Sequence, residues 1–185
     1  PHKTKLGSIG IPIFNVDARI IEIDKNNELG INQVGELIIS SPQLFLGYLN
    51  NHDNSEYFIN LDNKNFFKTG DLAYFDKDGY FFVVDRLKRM INSSGYKIWP
   101  AEIETILHNF DGIKEVCVIG IPDLRSGQKV KAIIVPENSH SEKKITNLKQ
   151  WCSSRMAKYK IPKIFEIRKS LPKNKMGKIM WRELK

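Results

Sequence analysis

The chain has 185 residues, of which 41% are hydrophobic and 27% charged, with a net charge of +8. That is enough for one or two small domains with ordinary cores. No stretch approaches the apolar length of a membrane span, and Pro1-His2-Lys3 opens neither a signal peptide nor a transit peptide, so a soluble cytoplasmic protein is expected. The basic residues scatter from Lys3 to Lys185, with modest enrichment at Lys143-Lys144 and from Lys158 to Lys163. A solvated surface accounts for this scatter best, and an electropositive funnel for polyanionic ligands comes second. Nucleic-acid binding, which calls for clustered basic and aromatic residues, comes third and is not expected. Cys117 and Cys152 read as reduced core residues, and His2, His52, His108 and His140 have no partners at metal or triad spacing.

In chain order, residues 16–23 partly alternate and read as a strand, a polar turn follows over Asp24 to Gly30, and residues 35–40 form a second strand. Residues 71–75 and 80–84 form a hairpin closed by Asp76-Lys77-Asp78-Gly79, whose Asp-Gly pair supplies the turn chemistry. The first half is therefore mostly β. The texture changes after Arg86. Pro100 starts a helix in which Ile103, Ile106, Leu107 and Phe110 form one apolar face, with Glu102 and Glu104 near its positive end. Residues 116–121 and 130–135 read as strands. Ser141 is expected to cap a second helix carrying Ile145, Leu148, Cys152 and Met156 on one stripe. A short strand at 165–167 and a lysine-rich tail complete the chain.

Four segments carry polar chemistry: Gly35-Glu36-Leu37 running to Gly47-Tyr48, Lys68-Thr69-Gly70-Asp71-Leu72, Asp85-Arg86 through Ala101-Glu102-Ile103-Glu104, and Leu171-Pro172 through Met176-Gly177-Lys178. Taken alone, each has a plain reading. Asp71 suits a turn that satisfies backbone N–H groups, although a carboxylate also suits a ribose diol. Arg86 suits a structural clamp and Lys88 a surface site. Ser93 to Pro100 reads as a polar loop-to-helix junction in which Gly95 permits φ > 0. Lys173 to Lys178 reads as a basic tail or as a long flexible cation reaching into a site.

In this order and spacing, from about Gly10 to Leu184, the four segments resemble the C-terminal half of the adenylate-forming enzymes: acyl-CoA synthetases, luciferases and peptide-synthetase adenylation domains. The family's phosphate loop and its Tyr-Gly-x-Thr-Glu segment would lie upstream of Pro1, so a piece of a larger enzyme is expected, with the Mg²⁺ ligands in the upstream part. The run Trp99-Pro100-Ala101-Glu102-Ile103-Glu104 is similar to the acyl-CoA ligases. Peptide-synthetase domains usually show Arg-Ile-Glu-Leu-Gly-Glu there, and luciferases carry a lysine where this chain has Asn92. Met176 departs from the Thr common before Gly177.

The resemblance implies an α+β fold: residues 1–86 as a β-rich, barrel-like subdomain ending a large adenylation core, and residues 87–185 as a mobile α+β domain with a short sheet flanked by helices. It implies a carboxylic acid, ATP and CoA as substrates, with AMP and pyrophosphate released, and a fatty or related acid as the default. Asp71 and Arg86 would contact the nucleotide ribose and Lys88 would be the hinge. Ser94, Gly95, Tyr96 and Lys97 would line the pantetheine tunnel, and Lys178 would bind nucleotide and catalyse adenylation. This chain by itself is expected to be inactive in adenylation. The alternatives are an adenylation domain loading a carrier protein and a non-catalytic module that retains the fold. Oligomeric state and the individual acid are not legible.

Overall fold

The computed structural model describes residues 4–49, 53–138 and 147–185; Ser141 and Ile145 of the expected second helix, and three of the four histidines, lie outside them. The chain divides into two compact units, Pro1–Lys88 and Arg89–Lys185, and its class is α+β.

The first unit is built on strands β1 (Asp17–Ile21), β2 (Gly35–Ser40), β3 (Phe58–Leu61), β4 (Lys64–Phe75) and β5 (Phe81–Arg86). They form one antiparallel sheet in the order β1-β2-β4-β3, with β5 also on β4. Alternation along β1 and β2 sends Ile20 and Leu37 to one cluster with Ala73 and Phe81, and Ile21 and Ile38 to another around Phe66. The turn after β4 follows the Asp-Gly expectation: Asp76 Oδ1 accepts from the backbone N–H of Asp78 at 2.9 Å and of Tyr80 at 3.1 Å, and Gly79 has φ +79°. A second hairpin, β3–β4, was not anticipated. Its turn is Asp62-Asn63, both with positive φ (49° and 61°), the geometry of a two-residue turn that matches strand twist. Two adjacent Asx residues were the missed signal.

The second unit contains β6 (Ile91–Ser93), β7 (Tyr96–Ile98), α1 (Pro100–His108), β8 (Ile113–Asp123), β9 (Gly127–Pro136), α2 (Leu148–Ser153) and β10 (Ile164–Ile167). Its sheet runs β10-β9-β6-β7, with β8 along β9; β10 is parallel to β9 and the other pairs are antiparallel. Both faces of the central hairpin are covered, which explains its long apolar runs. Val116, Val118, Val130, Ala132 and Ile134 meet Ile103 and Leu107 of α1 and Leu148 and Cys152 of α2. Cys117, Ile119, Ile133 and Val135 on the other face meet Leu171 and Leu184 of the C-terminal segment. Burying a side chain such as Ile133 contributes roughly 1.5–3 kcal/mol. The lysine-rich tail is therefore pinned at both ends by apolar anchors.

Candidate active site

Asp71 is aimed by an irregularity in β4. Glu36 pairs with Leu72 and Ile38 with Lys68, so the single residue Leu37 on β2 faces the three residues Thr69, Gly70 and Asp71 on β4. The surplus is a β-bulge, a device that redirects a side chain at the expense of ladder hydrogen bonds. Side chains replace the lost bonds. Thr69 Oγ1 donates to the Leu37 carbonyl at 2.7 Å and accepts from the Asp71 N–H at 3.0 Å. The Gly70 N–H, at φ +69°, donates to Glu36 Oε1 at 3.2 Å. Glycine suits this left-handed position because it has no Cβ to strain. A second irregularity, between Leu72 and Ala73, shifts β5 against β4 one residue further on.

The bulge sets Asp71 directly across from Arg86, and Arg86 Nε lies 2.7 Å from Asp71 Oδ1. The arginine side chain is 58% exposed and the aspartate 20%, so the pair lies at the surface. The two buried polar residues among those described, Glu36 and Asp85, both pair with Leu72 beside this site. Burial pushes the Glu36 carboxyl above the ordinary range, against the Gly70 N–H and Lys68, which favour its charge. Lys88 is exposed within a tight turn over Leu87–Arg89.

The Gly95 segment is not a plain junction but a hairpin. Ser94 and Gly95, with φ of 51° and 82°, form the two-residue turn between β6 and β7. The Ser94 N–H donates to the Ser126 carbonyl at 2.8 Å, and Ser93 pairs with Gly127 at the start of β9. Tyr96 stacks on Tyr159 with ring centroids 4.4 Å apart and planes 14° from parallel. These rings and Ser94 line a hollow of about 480 Å³ shared with Lys129, Lys158 and Lys163. Lys129 reaches Asp123 at 3.2 Å, and Asp123, which also accepts from Ser126, is held down to about 2, with the Ser126 hydroxyl the largest cause. Lys97 is exposed on β7.

Lys178 sits on a structured turn. Asn174 Oδ1 accepts from the N–H groups of Met176 (3.0 Å) and Lys178 (2.9 Å), and the Asn174 N–H donates to the Lys178 carbonyl at 2.9 Å. Lys173 bridges to Ile179 across the turn, and its ammonium is 2.8 Å from Glu115 Oε1 near the start of β8. Glu36 and Asn174 lie in segments singled out from the sequence but were given no role there, and Glu115 was not singled out; Asn174, three residues before a glycine, offered the clearest signal.

The sequence-predicted residues thus fall into separate groups. Asp71 and Arg86 are brought together in the first unit. In the second unit, residues 94–97 lie at the Gly127 end of the β8–β9 hairpin, whereas the Lys178 turn is tied to Glu115, which pairs with Val135 at the other end. Gly127 and Val135 are eight steps apart along β9, roughly 25 Å. Among the described residues, no group of three or more His, Cys, Asp or Glu side chains could hold a metal ion.

Residues 1–49 match the AMP-binding enzyme family and residues 102–178 the AMP-binding enzyme C-terminal domain. The chain belongs to the adenylate-forming superfamily. Among its adenylate-forming relatives, a long-chain-fatty-acid–CoA ligase of Escherichia coli O157:H7 is 36% identical over 97% of this chain and 31% of its own length. A 4-coumarate–CoA ligase-like 2 protein of Arabidopsis thaliana is 39% identical over 97% and 31%. The ATP-bound structure of MatB from Rhodopseudomonas palustris matches 96% of this chain and 35% of its own, with a TM-score of 0.86 and 29% identity. The o-succinylbenzoate CoA synthetase of Bacillus subtilis with ATP and a magnesium ion matches 97% and 36%, with a TM-score of 0.77 and 32% identity. The chain thus spans about a third of the length of these proteins.

Proposed function

We propose that this chain is the C-terminal part of an AMP-forming acyl-CoA synthetase. In the first half-reaction a carboxylate oxygen attacks the α-phosphorus of ATP, giving acyl-adenylate and pyrophosphate. In the second, the CoA thiol attacks the acyl carbon, the bond to AMP breaks, and acyl-CoA and AMP leave with one proton released. A fatty or related acid is the proposed substrate class, in keeping with the fatty-acid ligases among the relatives.

Asp71 is proposed to accept from the ribose hydroxyls while Arg86, oriented by its pair with Asp71, offers its remaining N–H groups to the nucleotide. Lys178 is proposed to neutralise charge developing between carboxylate and α-phosphate, a contact strongest in the transition state. The Gly95 turn is proposed to border the pantetheine arm. The adjoining hollow, with Lys129, Lys158 and Lys163 and the stacked Tyr96 and Tyr159, suits the phosphates and adenine of CoA.

The observation that carries this reading is that the Gly95 turn is anchored at Gly127 while the Lys178 turn is tied, through Lys173, to Glu115 opposite Val135, two anchor points roughly 25 Å apart along β9. Segments anchored that far apart are poorly placed to serve one reacting centre together. They can do so in sequence if the unit turns between steps, with Lys88 as the point that absorbs the change. The test measures the half-reactions separately in the full-length enzyme. Lys178→Ala should slow adenylation about 10²–10³-fold, and pre-made acyl-adenylate should bypass the defect. Gly95→Val, which puts a branched side chain at φ +82°, should instead slow thioester formation. Loss of the same half-reaction in both variants would refute the assignment.

A further inference from the structure

We infer that Glu36 is a positioning residue for nucleotide binding: it keeps the Thr69–Asp71 bulge in the shape that presents Asp71. The inference rests on the ribose-binding reading of Asp71 proposed above, and adds a residue on a different strand, β2.

The bulge leaves three β4 residues facing one on β2, so the regular ladder cannot pair every backbone group in it. Thr69 closes one side by bonding the Leu37 carbonyl and the Asp71 N–H. Glu36 closes the other by accepting from Gly70, the residue whose left-handed φ turns the chain toward Asp71. Glu36 is 8% exposed and lies in one row with fully buried Leu72 and with Asp85. A carboxylate is costly in such a place unless it is hydrogen-bonded, and the bond that it makes is to the bulge itself. Without that acceptor the Gly70 N–H loses its protein partner, and the bulge that presents Asp71 opposite Arg86 loses one of its two side-chain supports.

The inference predicts a loss of ribose recognition rather than of general activity. In the full-length enzyme, wild type should favour ATP over 3′-deoxy-ATP in the KM of adenylation, and Asp71→Asn should erase that preference. Glu36→Leu, apolar and of similar length, should also erase most of it and raise the KM for ATP about tenfold, the usual cost of one displaced hydrogen bond. Its KM for 3′-deoxy-ATP should barely move. Glu36→Gln keeps an acceptor for Gly70 and should restore the preference. If Glu36→Leu does not fold, Thr69→Val opens the same bulge from its other side and should give the same pattern. Preference retained in whichever of these variants folds, beside a loss in Asp71→Asn, overturns the role of Glu36 alone. Preference retained in Asp71→Asn overturns the ribose reading and this inference with it.

Discussion

Lys173 Nζ lies 2.8 Å from Glu115 Oε1 and ties the turn that carries Lys178 to the start of β8. The basic segment therefore contains lysines of different kinds: Lys173 is a tether, while Lys178, five residues on, is free to extend from a turn that the tether and Asn174 hold in shape.

Breaking that tether should matter more for catalysis than for folding. The two side chains are 40% and 22% exposed, so solvent screens the pair. A double-mutant cycle with Glu115→Ala and Lys173→Ala should give a coupling of only about 0.2–1 kcal/mol in urea unfolding. Adenylation by the full-length enzyme should nevertheless drop in both single variants, with thioester formation from pre-made adenylate spared. Unchanged adenylation in both variants would reduce the pair to a surface contact.

The 185-residue chain alone should not form acyl-adenylates. Its described residues include the Asp71–Arg86 pair and Lys178 but no cluster able to hold a metal ion. ATP–pyrophosphate exchange with a panel of carboxylic acids is the measurement, and robust acid-dependent exchange by this chain would contradict the expectation.

Lys88→Pro in the full-length enzyme should uncouple the half-reactions. Lys88 is exposed in the turn Leu87–Arg89. Proline would hold its φ near −65° and also restrict Leu87, so the junction could not sample two backbone states freely. Adenylation should persist while thioester formation falls steeply, with a thermal melt near that of wild type. Both rates staying normal would remove Lys88 from the hinge.

Stability should decline at alkaline pH through Cys152. The thiol is fully buried between α2 and the sheet, and desolvation pushes it from about 9 up to about 11 despite nearby Arg155. The unfolded chain loses this proton first. The stabilisation is therefore complete below about pH 9 and is lost as pH rises from about 9 to about 11. Urea midpoints over that range should fall more steeply for wild type than for Cys152→Ala, and the native thiol should resist disulfide reagents at pH 8. Parallel slopes would show that Cys152 is not the group responsible.

The local signals were strong enough to be read directly. The apolar run of residues 35–40, the Asp-Gly turn at 78–79 and Pro100 ahead of an apolar helical face each fix local geometry through neighbours in the chain, and each element formed where expected. The order and spacing of the four polar segments likewise pointed to the adenylate-forming superfamily. Other features depended on distant partners. Residues 92–97 look like a loop, but β6 pairs with β7 across Ser94-Gly95, and Gln128, Gly127 and Ser126 dock that hairpin through Asn92, Ser93 and Ser94. The lysine-rich tail looks solvated until Leu171 and Leu184 find the outer face of β8 and β9. The bulge at Thr69–Asp71 exists only because the register of β2 against β4 gains two residues opposite Leu37, and register is a property of two strands, not of one. Sequence alone thus determined which residues are polar, where the chain can turn and which family it resembles. Tertiary pairing decided that Asp71 faces Arg86, that Glu36 and Glu115 support the segments bearing Asp71 and Lys178, and that the segments bearing Lys178 and Gly95 are anchored near opposite ends of one hairpin.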